Sequence, residues 1–328
     1  MRKISPYLFT VLIALGSVIT SCEKQDSFIP VANQDQEQEL SGVLYTSNAN
    51  ASFEIYKLEG ETATQLTQES SVDAWWARYC PSNKRVLYYT SADGRDINDY
   101  EAASLRTMDL DGGSDRLLIE SGAHGWDQHG LANWSHNGTQ IVMAAVDTEI
   151  GKWQIYITDA EGQNPERVSS RKEVDYLDPI FDHDDASIIC VTIPEGEETD
   201  ESNYEVIRIN LNDSTEERLT NNNHKDHHPD ISSNGEFLVF ESLVDPDYLS
   251  IGKWGIKEVR LSNGNEREVL VDHDINLFPR YTPDGESIIF TRLKVETFNM
   301  TVGQLNRAND HIEIILPDDG HHMNGDPY

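Results

Sequence analysis

Eight of the eleven histidines fall in six short segments, residues 68–76, 120–130, 169–177, 221–228, 271–278 and 317–325, which together hold 54 of the 328 residues. They are His124, His129, His224, His227, His228, His273, His321 and His322, accompanied by Asp73, Asp127, Asp175, Asp226, Asp272 and Asp274. Neutral imidazoles beside carboxylates are the donor set of a divalent transition metal, which is therefore the candidate cofactor. No helical H-x-x-x-H or other fixed ligand spacing is present, so the ligands would have to come from different segments. His227 and His228 are adjacent in an extended stretch, where neighbouring side chains point to opposite faces. The expected ligands are His129, His322 and one of His227 or His228.

Five of the six tryptophans accompany the same segments. Trp75, Trp76 and Trp126 lie inside them; Trp153 and Trp254 end a repeated tetrapeptide, Ile150-Gly151-Lys152-Trp153 and Ile251-Gly252-Lys253-Trp254. Tryptophan faces stack on sugar rings and on peptide side chains. With Asp127, Gln128, Asp175, Tyr176 and Asp226 they make up the candidate ligand-binding set, whereas Trp134 reads as core. The chain lacks a G-x-S-x-G elbow, a P-loop and a dinucleotide fingerprint, so no catalytic residue is assigned. The stretch 93–99 offers oxygen ligands without the EF-hand order, and the acidic stretch 195–201 reads as a solvated charge run.

The elements that must position these residues repeat with a period near fifty. Pro179, Pro229 and Pro279 are spaced 50 residues apart, and each is followed by a turn and an apolar run: Ile188-Ile189-Cys190, Leu238-Val239-Phe240 and Ile288-Ile289-Phe290. Trp134-Ser135-His136-Asn137-Gly138 and Tyr79-Cys80-Pro81-Ser82-Asn83 begin two earlier copies. Between copies, alternating strands and Asp-Gly or Asn-Gly turns predict antiparallel hairpins. Four short strands per repeat, arranged radially, make an all-β propeller. Inner strands are expected to begin near residues 76, 131, 178, 228, 278 and 325. The last segment, Gly325-Asp326-Pro327-Tyr328, is expected to complete the blade begun by Gly42-Val43-Leu44-Tyr45-Thr46, closing a ring of six four-stranded blades with no open edge. Cys80 and Cys190 fall in strands of different repeats and are expected as buried free thiols.

The repeat resembles that of the TolB-type, WD40-like propellers, whose inner strand reads P-x-W-S-P-D-G and whose third strand reads I-Y-x-x-D-x-x-G. Tyr281-Thr282-Pro283-Asp284-Gly285 and Ile155-Tyr156-Ile157-Thr158-Asp159 carry the resemblance most clearly. It covers residues 41–328 and leaves no residues for the separate N-terminal domain of TolB itself. It implies a protein-interaction platform rather than an enzyme.

The N-terminus reads as an address. Arg2 and Lys3 precede an apolar run over residues 7–18, too short to span a bilayer as a helix but long enough for a signal-peptide core. Ile19-Thr20-Ser21-Cys22 follows and resembles a bacterial lipobox, which implies cleavage after residue 21 and lipidation of Cys22. Residues 22–40 are polar and read as a flexible tether. The formal charge is −33 over the whole chain, so nucleic acid is excluded as a partner. The expectation is an outer-membrane lipoprotein of the bacterial cell envelope that presents its His/Trp/Asp face to an envelope protein, a peptide or a glycan, meeting the membrane through its lipid anchor only. The alternative is a metal-dependent polysaccharide lyase similar to the oligogalacturonate lyases, whose propeller-mouth His and Gln ligands Gln128 and His129 resemble. A chain this acidic repels an anionic uronate polymer, which places that reading second.

Overall fold

The computed structural model describes residues 40–328 apart from 51, 69–71, 93–96, 198–202 and 223. The expected signal peptide, Cys22 and the tether up to residue 39 lie outside the described residues, as do residues 93–96 of the oxygen-rich stretch and 198–201 of the acidic run. The described chain forms six four-stranded antiparallel sheets, each a blade. Blade 1 orders His322–Pro327, Val43–Asn50, Ser52–Glu59 and Thr62–Gln65 from the inside outwards. The inner strands of blades 2 to 6 are Val72–Cys80, Trp126–Trp134, Tyr176–Phe181, Asp226–Ile231 and Ile275–Tyr281.

The ring closes as the terminal segments predict. Val43 pairs with Pro327, Leu44 with Asp326 and Ser47 with His322, antiparallel. The Tyr328 carbonyl accepts from the backbone N–H groups of Ser41 and Gly42 at 2.6 and 3.1 Å. A sheet edge at either terminus would be a template for aggregation, and this pairing removes it.

The inner strands begin two to five residues upstream of the expected positions, because each contains a β-bulge that breaks the period-two pattern. The pairing skips two residues between Trp75 and Arg78, Gly130 and Asn133, Leu177 and Ile180, His227 and Asp230, and Leu277 and Arg280. In blade 1 the skip falls between Met323 and Asp326. The first bulge residue is left-handed in all six blades: Trp76 (φ 61°), Leu131 (60°), Asp178 (51°), His228 (45°), Phe278 (52°) and Asn324 (57°). None is glycine, and a bulky side chain held there costs strain that the surrounding sheets must offset. The repeated prolines 179, 229 and 279 are the second bulge residues. A bulge has no ladder N–H to lose at that position, so proline fits where a regular strand would reject it.

Second strands fill the space between blades. Ile141 to Ala145, Ile188 to Val191 and Leu238 to Phe240 are each 0% exposed. Cys80 and Cys190 are buried free thiols, and burial pushes the Cys190 thiol well above its ordinary range. Just past three fourth strands a hydroxyl ties the chain back to the third strand: Thr67, Ser169 and Thr220 accept from the N–H of Ile55, Ile155 and Val206 at 2.9, 3.1 and 2.9 Å. The inner-to-second turns pack blade against blade. A Cβ on Gly235 would come within 2.5 Å of the His183 ring, so that turn takes only glycine.

Candidate functional site at the channel mouth

The connections from second to third strand and from fourth strand to the next blade lie on one face, the channel mouth. The bulges decide what lines the channel below it. A left-handed residue turns its side chain out of the alternation of the strand, and across the ring these side chains meet. Trp76 of blade 2 lies 5.6 Å from His228 of blade 5 and 6.1 Å from Phe278 of blade 6, ring centre to ring centre, and His228 and Phe278 are 4.5 Å apart. The Arg78 guanidinium sits 4.0 Å over the Trp76 ring. The cavity among Trp76, Asn133, Asp178, His228, Phe278 and Arg280 is about 20 Å³, by a measure in which one water needs roughly 10–15 Å³. At this level the channel has no room for an organic ligand.

Two residues beyond the first bulge residue, four of the six blades carry a charge, and these charges form a layer across the channel. Arg280 contacts Asp230 at 3.5 Å and Asp326 at 3.3 Å, and Arg78 approaches Asp326 at 3.9 Å. The same carboxylates tie blades together, Asp230 accepting from the N–H of Tyr281 at 2.7 Å and Asp326 from that of Tyr79 at 2.8 Å. Burial, then repulsion from Arg280, brings Arg78 down to about 9, which leaves it charged at neutral pH.

Above this layer sits a buried clasp. The Asp178 carboxylate of blade 4 contacts His227 Nδ1 at 2.7 Å, His228 Nε2 at 3.4 Å and the His228 backbone N–H at 3.2 Å. His228 Nδ1 meets Glu241 at 2.9 Å, and Glu241 also accepts from the N–H of Phe278 at 2.7 Å. His228 Nδ1 hydrogen-bonds to Glu241 and Nε2 lies within ion-pair distance of Asp178, so two carboxylates favour the charged form of the ring. Burial works against that charge, but Asp178 and then Glu241 raise the His228 pKa above its ordinary value. Burial would likewise raise Asp178; His228 and His227 together hold it down to about 2. Sequence reasoning set His227 and His228 on opposite sides of an extended strand. The structure brings both to one carboxylate, because the positive φ of His228 breaks the alternation.

The other expected metal ligands stand elsewhere. His129 of blade 3 is 0% exposed, with ring centres 5.7 Å from Tyr89 and 6.1 Å from Trp126. Burial brings it down to about 4, keeping it neutral. His322 of blade 1 meets Asp319 at 2.9 Å and lies edge-on to Tyr45. His129, His322 and the His227/His228 pair thus occupy three blades, each with its own neighbours. Among the described residues, the group whose three ligand atoms lie within 4.8 Å is Asp182, His183 and Asp184. It belongs to a turn on the face opposite the mouth, and Asp182 is already engaged by Arg208 at 2.7 Å.

The expected ligand-binding set divides by depth. Trp75, Trp126, Tyr176 and Asp226 are buried: Trp75 stacks on Tyr89, Trp126 packs on Tyr156, the Tyr176 hydroxyl donates to Glu216 at 2.5 Å, and Asp226 accepts from Ser242 at 2.7 Å. Burial above all, with Glu205 adding to it, pushes Asp226 up to about 7 against the opposing hydrogen bond from Ser242. Trp76 lies on the channel wall. Gln128, Asp175, Trp153 and Trp254 are half-buried and Asp127 is exposed, all toward the mouth. Asp175 is engaged by the Trp153 N–H at 2.8 Å and by Lys152 at 3.1 Å.

The family described as the TolB beta propeller domain matches residues 85–316. The chain belongs to the TolB β-propeller family. Among solved structures it is similar to TolB from Acinetobacter baumannii, with a TM-score of 0.70, 12% identity and coverage of 88% of this chain and 66% of that one. It thus spans just under two thirds of that protein's length. Putative TolB from Agrobacterium tumefaciens gives a TM-score of 0.63 at 15% identity, covering 88% and 98%. An oligogalacturonate lyase in complex with manganese gives 0.52 at 12%, covering 85% and 86%. At these identities the likeness is one of fold. No curated protein matches the chain.

Within this TolB-family propeller, sequence reasoning missed Asp178, Glu241, Arg78, Arg280, Asp230 and Asp326. One signal pointed to half of them. The residues one before and one after the repeated prolines are the channel positions, so Asp178, Asp230 and Arg280 could have been read off the prolines once the bulge was known. Glu241 is a second-strand residue with no local mark of its position.

Proposed function

We propose that this protein is a lipid-anchored binding propeller of the bacterial cell envelope, which presents its channel mouth to an envelope protein, a peptide or a glycan. The observation that carries the reading is the closed channel beneath a mouth that collects the long connections and the half-buried Trp153 and Trp254. Such a face offers a broad contact surface on a rigid scaffold. Membership of the TolB family and the resemblance of Ile19-Thr20-Ser21-Cys22 to a lipobox support the location. A photo-crosslinking residue placed at Gln128 on the mouth, and another at Asn83 on the opposite face, test the reading in the producing cell. Discrete adducts from position 128 alone are expected; adducts from neither, or equally from both, would overturn it. Cys22→Ser is expected to release the protein from the membrane fraction.

The lyase reading stays second, since among the described residues His129, His322 and His227 or His228 are not part of a group with metal-ligand spacing. Elemental analysis before and after chelation tests it: one tightly held transition metal per chain, lost in His129→Ala and His322→Ala, would bring it forward.

A further inference from the structure

The repeated Ile-Gly-Lys-Trp tetrapeptide builds the same object twice. Gly151 and Gly252 adopt left-handed conformations (φ 67° and 80°) and deliver Trp153 and Trp254 to the start of the third strands of blades 3 and 5. In both places a tyrosine from the preceding blade's second-to-third connection, Tyr100 or Tyr204, reaches over the residue just before the bulge. That residue is Gly130 in blade 3, where a Cβ would come within 2.4 Å of the Tyr100 ring. In blade 5 it is His227, which stacks on Tyr204 at 5.7 Å and 27°. The tryptophan closes the other side: Trp153 stands edge-on to Tyr100 at 5.8 Å, and Trp254 edge-on to His227 at 5.8 Å. The mouth thus carries two clusters of aromatic rings packed on one another, here termed cups, on the two blades that flank blade 4, and all four Tyr and Trp residues are half-buried.

The charge around them selects what they take. Among the described residues, the connections on the mouth face carry 14 Asp and Glu against 5 Lys and Arg. The chain's own lysines already lie over aromatic rings there, Lys225 over Tyr204 at 5.5 Å and Lys253 over Tyr248 at 5.3 Å. Aromatic faces within an acidic field favour ammonium and guanidinium groups. We propose that the two cups together grip an extended basic segment of a protein partner, one Lys or Arg side chain in each. This rests on the binding-propeller reading and names the chemistry of its partner.

Two cups joined by one ligand act by effective concentration, so a segment with two cations outbinds a segment with one beyond what charge alone gives. The test uses the full chain in detergent and two synthetic peptides of equal net charge. One has two arginines separated by a Gly/Ser spacer, with the spacer length varied; the other has its two positive charges adjacent at one end. Isothermal titration is expected to show the spaced peptide binding at least about tenfold tighter at one spacer length. Trp153→Leu and Trp254→Leu keep apolar bulk and lose the π face, and each is expected to bring the spaced peptide down to the affinity of the clustered one. Trp153→Phe and Trp254→Phe are expected to retain most of the preference. Equal binding of the two peptides at every spacing, or a preference that survives both leucine variants, would refute the two-cup grip. Mouth-specific crosslinks that the spaced peptide fails to compete away would sink this inference and leave the binding-propeller reading standing. Absence of mouth-specific crosslinks before any peptide is added would sink both.

Discussion

Replacing Asp178 with alanine removes the one carboxylate shared by His227 and His228, and its cost follows from burial. Asp178 is 5% exposed and the His228 side chain 12%, so an imidazolium left with Glu241 alone gains little solvent in return. Removing one partner of a buried pair costs ~3–5 kcal/mol. Over the 288 residues from 41 to 328, an unfolding entropy of about 2.1 cal/mol/K per residue converts this into a drop in Tm of about 5–8 °C. The pH dependence carries the more specific signature. A carboxylate held at about 2 in the fold, against ~3.9 unfolded, stabilises fully above pH ~4, and that stabilisation, about 2–3 kcal/mol, is lost as pH falls toward 2. The raised His228 pKa acts with the opposite sign: its contribution is complete below pH ~6.5 and is lost as pH rises through the folded value. Scanning calorimetry of wild type and Asp178→Ala from pH 2 to pH 8 is therefore expected to show the widest gap between pH 4 and 6.5, narrowing on both sides. A gap under about 2 °C at pH 6, or one that stays constant down to pH 2, would refute the clasp.

Three further outcomes are expected. Asp226, raised to about 7, lowers stability as pH climbs from its unfolded value near 3.9 toward 7; Asp226→Asn should gain on wild type across that window, by a few kcal/mol at pH 8, and parallel urea titrations would show it. Gly130→Ala places a methyl within 2.4 Å of the Tyr100 ring, and the overpacking is expected to cost about 1–3 kcal/mol, read as a lower urea midpoint with unchanged m-value. Deleting residues 322–328 strips blade 1 of its inner strand and exposes the edge of Val43–Asn50. Light scattering should then detect aggregation on release of the truncated chain from chaperone, whereas a soluble truncated monomer would contradict the closure argument.

The architecture was legible because it is written in local patterns. Alternation with period two sets a strand's faces, and Asp-Gly and Asn-Gly turns set hairpins. Prolines 50 residues apart count the blades, so Gly325-Asp326-Pro327-Tyr328 could be assigned to the blade that Gly42-Val43-Leu44-Tyr45-Thr46 begins. None of this needs knowledge of what is near what. The site was legible only as composition: the histidines, aspartates and tryptophans of the mouth segments stand out in number, but their grouping was read from strand alternation, and alternation fails at a bulge. Six left-handed residues start the inner strands earlier than expected and turn His228 so that both imidazoles reach Asp178. Arg78, Arg280, Asp230 and Asp326 carry no mark in the linear pattern that they share one channel. Sequence determined the blades and their count, since each depends on contacts a few residues apart, and their closure, since the two terminal segments match complementary strands of a single blade. Only the closed ring decided which side chains meet at its centre, because those contacts join residues up to about 250 positions apart, as between Arg78 and Asp326, and depend on the angle at which each blade is set.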